Sequence, residues 1–192
     1  MLTRRDGKWL IKALDNVTLT NPRTASWSCE SDVSGDFRSR HALEATMKTM
    51  ETNVRKLFER YESISKASLR GDVDMDEVAA LYASEFIAAT PAGVMTGKND
   101  EHLKQVLAKG YAHYRAIGTK AMEMRGLRIA PLDEHHCVVH VSWRAMYVRK
   151  NQSDVVIDFD VHYLVQHLGA EPKVFGWVSG DEQTLLRERG VI

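Results

Sequence analysis

From about Leu43 onward the chain switches between two hydrophobic periods, and the switches mark helices from strands. Val54, Leu57, Phe58, Tyr61 and Ile64 recur at the i, i+3, i+4 spacing of one buried helix face, and Gly71 is placed to stop that helix. A short second helix is expected in "DMDEVAALYA", where Asp74 and Glu77 have capping-box spacing. In "SEFIAATPAGVMTG", Pro91-Ala-Gly93 is turn chemistry between two extended pieces, which predicts a hairpin. Asn99 or Asp100 caps the next helix. Its predicted stripe is Leu103, Val106, Leu107, Gly110, Tyr114 and Ile117, and Gly118 ends it.

Alternation with a period of two then takes over. Residues 119–130, 135–149 and 153–167 read as long strands, and "KVFGWVSG" as a fourth. Ser179 and Glu182 form a capping-box pattern into a last helix that Gly190 stops. Helices first and consecutive strands afterwards predict an α+β domain. Its helices pack on one face of a curved antiparallel sheet.

The first 45 residues lack such a period. Residues 17–45 are rich in Ser, Thr, Asp and Arg, which reads as a linker-like or weakly ordered segment. A short helix over Lys8–Leu14 is the one element expected there. The chain is therefore divided into a peripheral extension, 1–45, and a folded domain, 46–192. Met47 and Met50 stand where the organised part begins, so translation starting there is a second option.

The folded part resembles the nuclear transport factor 2-like (NTF2-like) superfamily in its SnoaL-like branch. The resemblance covers about residues 47–192. It rests on the element order and on "LYASEFIAATPAGVMTGKND", "HVSWRAMYVR", "VIDFDVHYLV" and "GWVSGDEQTLLRERG". It implies a cone, in which helices close one end of a bent sheet around a pocket. It also implies a homodimer through the outer sheet face. The activities it implies are isomerase, cyclase or dehydratase chemistry on a small apolar or polycyclic molecule. Non-catalytic binders and structural dimer modules share the fold, so the fold leaves the function open.

The strand faces sharpen the question. Cys137, Val139, Val141, Trp143, Ala145 and Tyr147 share one side of their strand, and Val155, Ile157, Phe159, Val161, Tyr163 and Val165 one side of the next. If the apolar sides coincide, two registers survive. Either Arg144 faces Asp158 and His140 faces His162, or Arg144 faces Asp160 and Ser142 faces His162. The apolar side is the one that helices can cover, so it is expected to be concave, which puts His140, Arg144, Asp158, Asp160 and His162 on the convex side, as a dimer face. The alternative turns that side inward, with Asp158 or Asp160 as general base and His162 as its partner.

On the first assignment the pocket holds Trp143, Tyr147, Phe159, Tyr163, Phe175 and Trp177, with Phe86 and Tyr114 closing it. Such rings suit a flat apolar ligand that bears oxygens. His113 flanks the helix stripe as a weak candidate base.

Composition excludes more than it selects. Among 192 residues, 26 Lys and Arg balance 26 Asp and Glu without a basic stripe, so nucleic acid is not an expected partner. Asp158-x-Asp160-x-His162 spaces its groups too widely along one strand to converge on a small ion, so no metal is expected. No Gly-rich phosphate loop or G-x-S-x-G elbow is present, and no cofactor is expected. Two cysteines, Cys29 and Cys137, make no disulfide framework, which fits a cytoplasmic protein, and Cys137 is expected to be an inert buried thiol. His135-His136 marks a turn. Lys12 interrupts the apolar run "WLI" too early for an export signal, and no run approaches a membrane span. Asn16 and Asn151 match the glycosylation pattern, which acts only on secreted chains.

Overall fold

The computed structural model describes residues 2–5, 8–11, 33–149 and 153–192, with side chains from residue 44 onward. The chain divides into two compact units, Met1–Phe37 and Arg38–Ile192. In the first unit, strands β1 (Leu2–Arg5) and β2 (Lys8–Ile11) pair antiparallel, with Arg5 opposite Lys8. The helix expected over Lys8–Leu14 is thus a strand over Lys8–Ile11, and its last residues lie outside the described ones. The overlooked signal is Asp6-Gly7, a dipeptide suited to two-residue hairpin turns.

Helix α1 runs over Val33–Arg70 and so begins ahead of the expected start near Leu43. The segment read as weakly ordered is helical from Val33, and residues 17–32 lie outside the described part. Gly71 ends α1 at φ 81°. Its N–H donates to Ser68 O at 3.1 Å and that of Asp72 to Ala67 O at 3.2 Å, the paired bonds of a Schellman stop.

The second unit continues with α2 (Met75–Ala79), β3 (Tyr82–Thr90), β4 (Gly93–Lys98), α3 (Glu101–Ala116), β5 (Thr119–Pro131), β6 (His136–Tyr147), β7 (Val155–Gln166), β8 (Lys173–Ser179) and α4 (Glu182–Glu188). Asp74 caps α2 by accepting from Asp76 N. Asp100 caps α3 by accepting from His102 N and Leu103 N. At α4 the cap is Asp181, bonded to Thr184 N at 3.0 Å, and not the expected Ser179, which is still in β8. Within the α3 stripe Leu103 is buried, but Val106 faces solvent, and Tyr111 turns inward in its place.

The six-stranded sheet is curved and ordered β4-β3-β8-β7-β6-β5. Its pairs are antiparallel except one: β3 and β8 run parallel. The expectation of an antiparallel sheet fails at that pair because β8 returns beside β3 after the β5–β7 meander, pointing the same way. The register is the first of the two foreseen, with Arg144 opposite Asp158 and His140 opposite His162.

One face of the sheet is covered by α1. Met50, Val54, Leu57, Phe58 and Ile64 meet Cys137, Val139, Val141, Trp143, Tyr163 and Val165 in one cluster. Arg115 Nη1 donates to Ser68 O at 2.6 Å and Met124 N to Glu62 Oε1 at 2.9 Å, which ties α3 and β5 to α1. Among the described residues no helix is long and apolar enough to cross a membrane.

Candidate functional site

The alternation of β6 and β7 decides the fate of the two aspartates. Odd residues of both strands turn toward α1, so even residues turn away. Asp158 receives Arg144 Nε and Nη2, both at 2.7 Å, as a bidentate pair. That guanidinium holds the Asp158 carboxyl below its ordinary value. Asp160 accepts Ser142 Oγ at 2.6 Å. His162 Nδ1 lies 2.7 Å from His140 Nδ1. Each member of the Asp-x-Asp-x-His run therefore holds a cross-strand partner; Asp158 and His162 stand on the outer face, while Asp160 also reaches the border of the cavity. Among the described residues no three His, Cys, Asp or Glu side chains gather around a common point.

Inside, the sheet and helices leave a cavity of about 400 Å³. Its wall contains every tyrosine of the chain: Tyr61 from α1, Tyr82 from β3, Tyr111 and Tyr114 from α3, Tyr147 from β6 and Tyr163 from β7. Trp143, Trp177 and Phe159 complete it. Six elements converge here, each with one or two aromatics turned inward.

Tyr61 meets Tyr82 and Tyr163 edge to face and Trp143 at a tilt of 42°. Tyr61 stands 5.6 Å from Tyr163, 5.9 Å from Trp143 and 6.4 Å from Tyr82, centroid to centroid. Tyr61 Oη and Tyr82 Oη lie 3.1 Å apart. One such bond uses one of the two hydroxyl protons, so the second can point at a ligand.

Burial is the main cause of a common electrostatic change. It pushes the Tyr147 phenol up to about 12 and raises Tyr82, Tyr111, Tyr114 and Tyr163 further. These five phenols stay protonated donors throughout the physiological range. Near α4, Tyr114 Oη donates to Glu182 Oε2 at 2.9 Å. The charged residues that border the cavity are Asp160, Asp181 and Glu182, all acids.

Six of the eight predicted pocket residues are in the wall: Tyr114, Trp143, Tyr147, Phe159, Tyr163 and Trp177. Phe86 instead stacks behind Trp177 at 5.2 Å and 20°. Phe175 turns to the outer face, edge-on to His136 at 6.0 Å. Its reversal has a local cause. Val165 pairs Val174 and Leu164 pairs Gly176, so Phe175 is the extra residue of a β-bulge, and strict alternation fails there.

Tyr61, Tyr82 and Tyr111 were not expected in the wall. Tyr61 sits in a stripe that reads as plain core, and only the tertiary arrangement separates the two roles. His113 is exposed and outside the wall. Cys137 is fully buried, and burial pushes its thiol up to about 11, so it is a poor nucleophile. His135 and His136 bend around Asp133, which accepts from both of their backbone N–H groups at 2.7 Å.

Comparison with known proteins agrees with this architecture. The profile of a family described as NTF2-like protein (DUF6841) matches residues 50–182. No curated protein matches the sequence. An NTF2-like protein with a cystatin-like fold from Novosphingobium aromaticivorans superposes with TM-score 0.56 at 10% identity, covering 85% of this chain and 98% of that one. A candidate scytalone dehydratase from the same organism gives 0.53 at 13% identity, covering 70% and 85%. A Kribbella flavida protein gives 0.52 at 12%, covering 73% and 99%. At such identities the likeness is one of fold.

Proposed function

The chain belongs to the NTF2-like family DUF6841, and from that premise we propose that its cavity binds a flat, largely apolar molecule bearing polar groups at its edge. One observation carries this: six phenols and two indoles from separate elements wall a single space of about 400 Å³, within the range of small-molecule sites. Ring faces supply stacking, and protonated phenols supply donors to a ligand oxygen. The aspartates considered as bases are both engaged, Asp158 by Arg144 and Asp160, at the cavity border, by Ser142 Oγ, so binding is better supported than isomerase, cyclase or dehydratase turnover. The free, buried Cys137 accords with a reducing compartment such as the cytoplasm.

Calorimetric titration with flat neutral probes such as 2-naphthylmethanol tests this reading. Saturable one-to-one binding is expected, and Leu107→Trp, which fills the space from α3, is expected to abolish it while far-UV circular dichroism stays unchanged. No saturation by the wild-type chain, or binding indifferent to Leu107→Trp, overturns it.

We infer, second, that the outer sheet face pairs two copies of the chain. Exposed Ile87, Val156 and Val178 lie there among Arg144, Asp158 and the two histidines, and such mixed charge can match itself about a two-fold axis. Burial, followed by the Arg128 and His162 charges, lowers His140 below its ordinary value. A lowered histidine stabilises while neutral. The contribution is therefore present above about pH 6.5 and is lost as pH falls through the lowered value. Sedimentation velocity is expected to show a dimer at pH 7.5 and a monomer for Val178→Asp, whereas the loss on acidification is expected in the folding stability of the chain. A wild-type monomer at pH 7.5 removes the inference.

A further inference from the structure

We propose that the cavity selects a ligand with a positively charged amine, held at the α4 end by Glu182 and Tyr147. The proposal rests on the binding reading above and adds the charge of the ligand to it. Three independent features of the cavity converge on it.

The first is the charge of the wall. Asp160, Asp181 and Glu182 border the cavity, and among the described residues no Lys, Arg or His joins them. A cationic ligand enters without meeting a like charge, whereas a carboxylate or phosphate approaches three acids with nothing to neutralise it. Asp160 and Asp181 are already engaged, by Ser142 and by the start of α4. Glu182 is different. Its Oε2 accepts Tyr114 Oη, and among the described residues no cation pairs with the carboxylate.

The second is an unpaired hydroxyl. Tyr147 is 2% exposed, lines the cavity and has no hydrogen-bond partner among the described residues. Tyr147 packs in one cluster with Leu186 of α4, one turn along the helix from Glu182, so the two groups share one end of the space. Because the hydroxyl opens on the cavity and is not sealed in the wall, a ligand can supply the partner that the protein does not. An ammonium can do so, because it donates to the phenol oxygen and to the carboxylate at once.

The third is the nature of the remaining surface. Tyrosine and tryptophan faces carry negative quadrupole potential and attract organic cations. A wall of two indoles and six phenols offers such faces on several sides. A neutral hydrocarbon pocket could equally be built of Leu, Ile and Val, and it would gain nothing from Glu182.

Three probes of one shape separate these effects: 2-naphthylmethylammonium, 2-naphthylmethanol and 2-naphthoate. In calorimetric titrations at pH 7 and low salt, the ammonium is expected to bind about tenfold or more tightly than the alcohol, and the carboxylate weakest. Glu182→Gln keeps an acceptor for Tyr114 but removes the charge. It is expected to bring ammonium and alcohol within about threefold of each other. Tyr147→Phe is expected to weaken the ammonium several-fold and the alcohol less. Added salt is expected to weaken the ammonium selectively. If the alcohol binds and the ammonium binds no tighter, or if Glu182→Gln leaves the preference intact, the charge inference is overturned and the binding reading stands. If none of the three probes binds, both are overturned.

Discussion

Phe58→Ala is expected to destabilise the folded domain by about 3–5 kcal/mol, the range for emptying a buried aromatic position. Phe58 is fully buried on α1. Its ring lies 5.0 Å from Tyr163 and 5.9 Å from Tyr61, so it backs two of the phenols without lining the cavity itself. Removing it costs the transfer of the ring and leaves a void that rigid β6 and β7 cannot close. A domain of this size holds only about 5–15 kcal/mol in total. Urea denaturation followed by circular dichroism measures the loss, and a shift under about 1 kcal/mol would contradict the packing described. The neutral naphthyl probe should also bind the folded variant more weakly, because Tyr61 and Tyr163 lose the surface that holds their rings in place.

Gly118→Ala is expected to cost about 2–4 kcal/mol, with Gly71→Ala as its internal control at about 1–2 kcal/mol. Both glycines have left-handed backbone, φ 85° and φ 81°. They differ in surroundings. A Cβ on Gly118 would stand 2.5 Å from Val148 O, while one on Gly71 meets nothing within 4 Å. The Val148 contact is backbone and cannot rotate aside. It is also pinned, since Val148 N donates to Gly118 O at 2.8 Å. Gly118 joins α3 to β5, so displacement there would shift the helix that carries Tyr111 and Tyr114. Equal denaturation midpoints for the two variants would refute the role given to the Val148 carbonyl.

Both variants show why some of the site was legible beforehand and some was not. The faces of β6 and β7 follow from a period of two, and a short turn left only two registers. Trp143, Tyr147, Phe159 and Tyr163 were therefore assignable as inward residues. Phe175 was not, because a single-residue bulge reverses the face and leaves no mark in the alternation. Tyr61 belongs to the same stripe as Phe58, yet one borders the cavity and the other is packed behind it. Helical spacing records which side of α1 faces the sheet and is silent about where the sheet curves away.

The order of elements from α1 onward, the helix stops at Gly71, Gly118 and Gly190, and a carboxylate opposite Arg144 were determined by the amino-acid sequence itself, because each depends on neighbours a few residues apart or on one short turn; that the carboxylate is Asp158 and not Asp160 was decided by the structure. The parallel pairing of β3 with β8, the outward turn of Phe175, and the meeting of six tyrosines with Glu182 at one end were decided by the tertiary structure. These depend on sheet curvature and on contacts between residues as distant as Tyr61 and Tyr163, or Tyr114 and Glu182, whose approach no local period encodes.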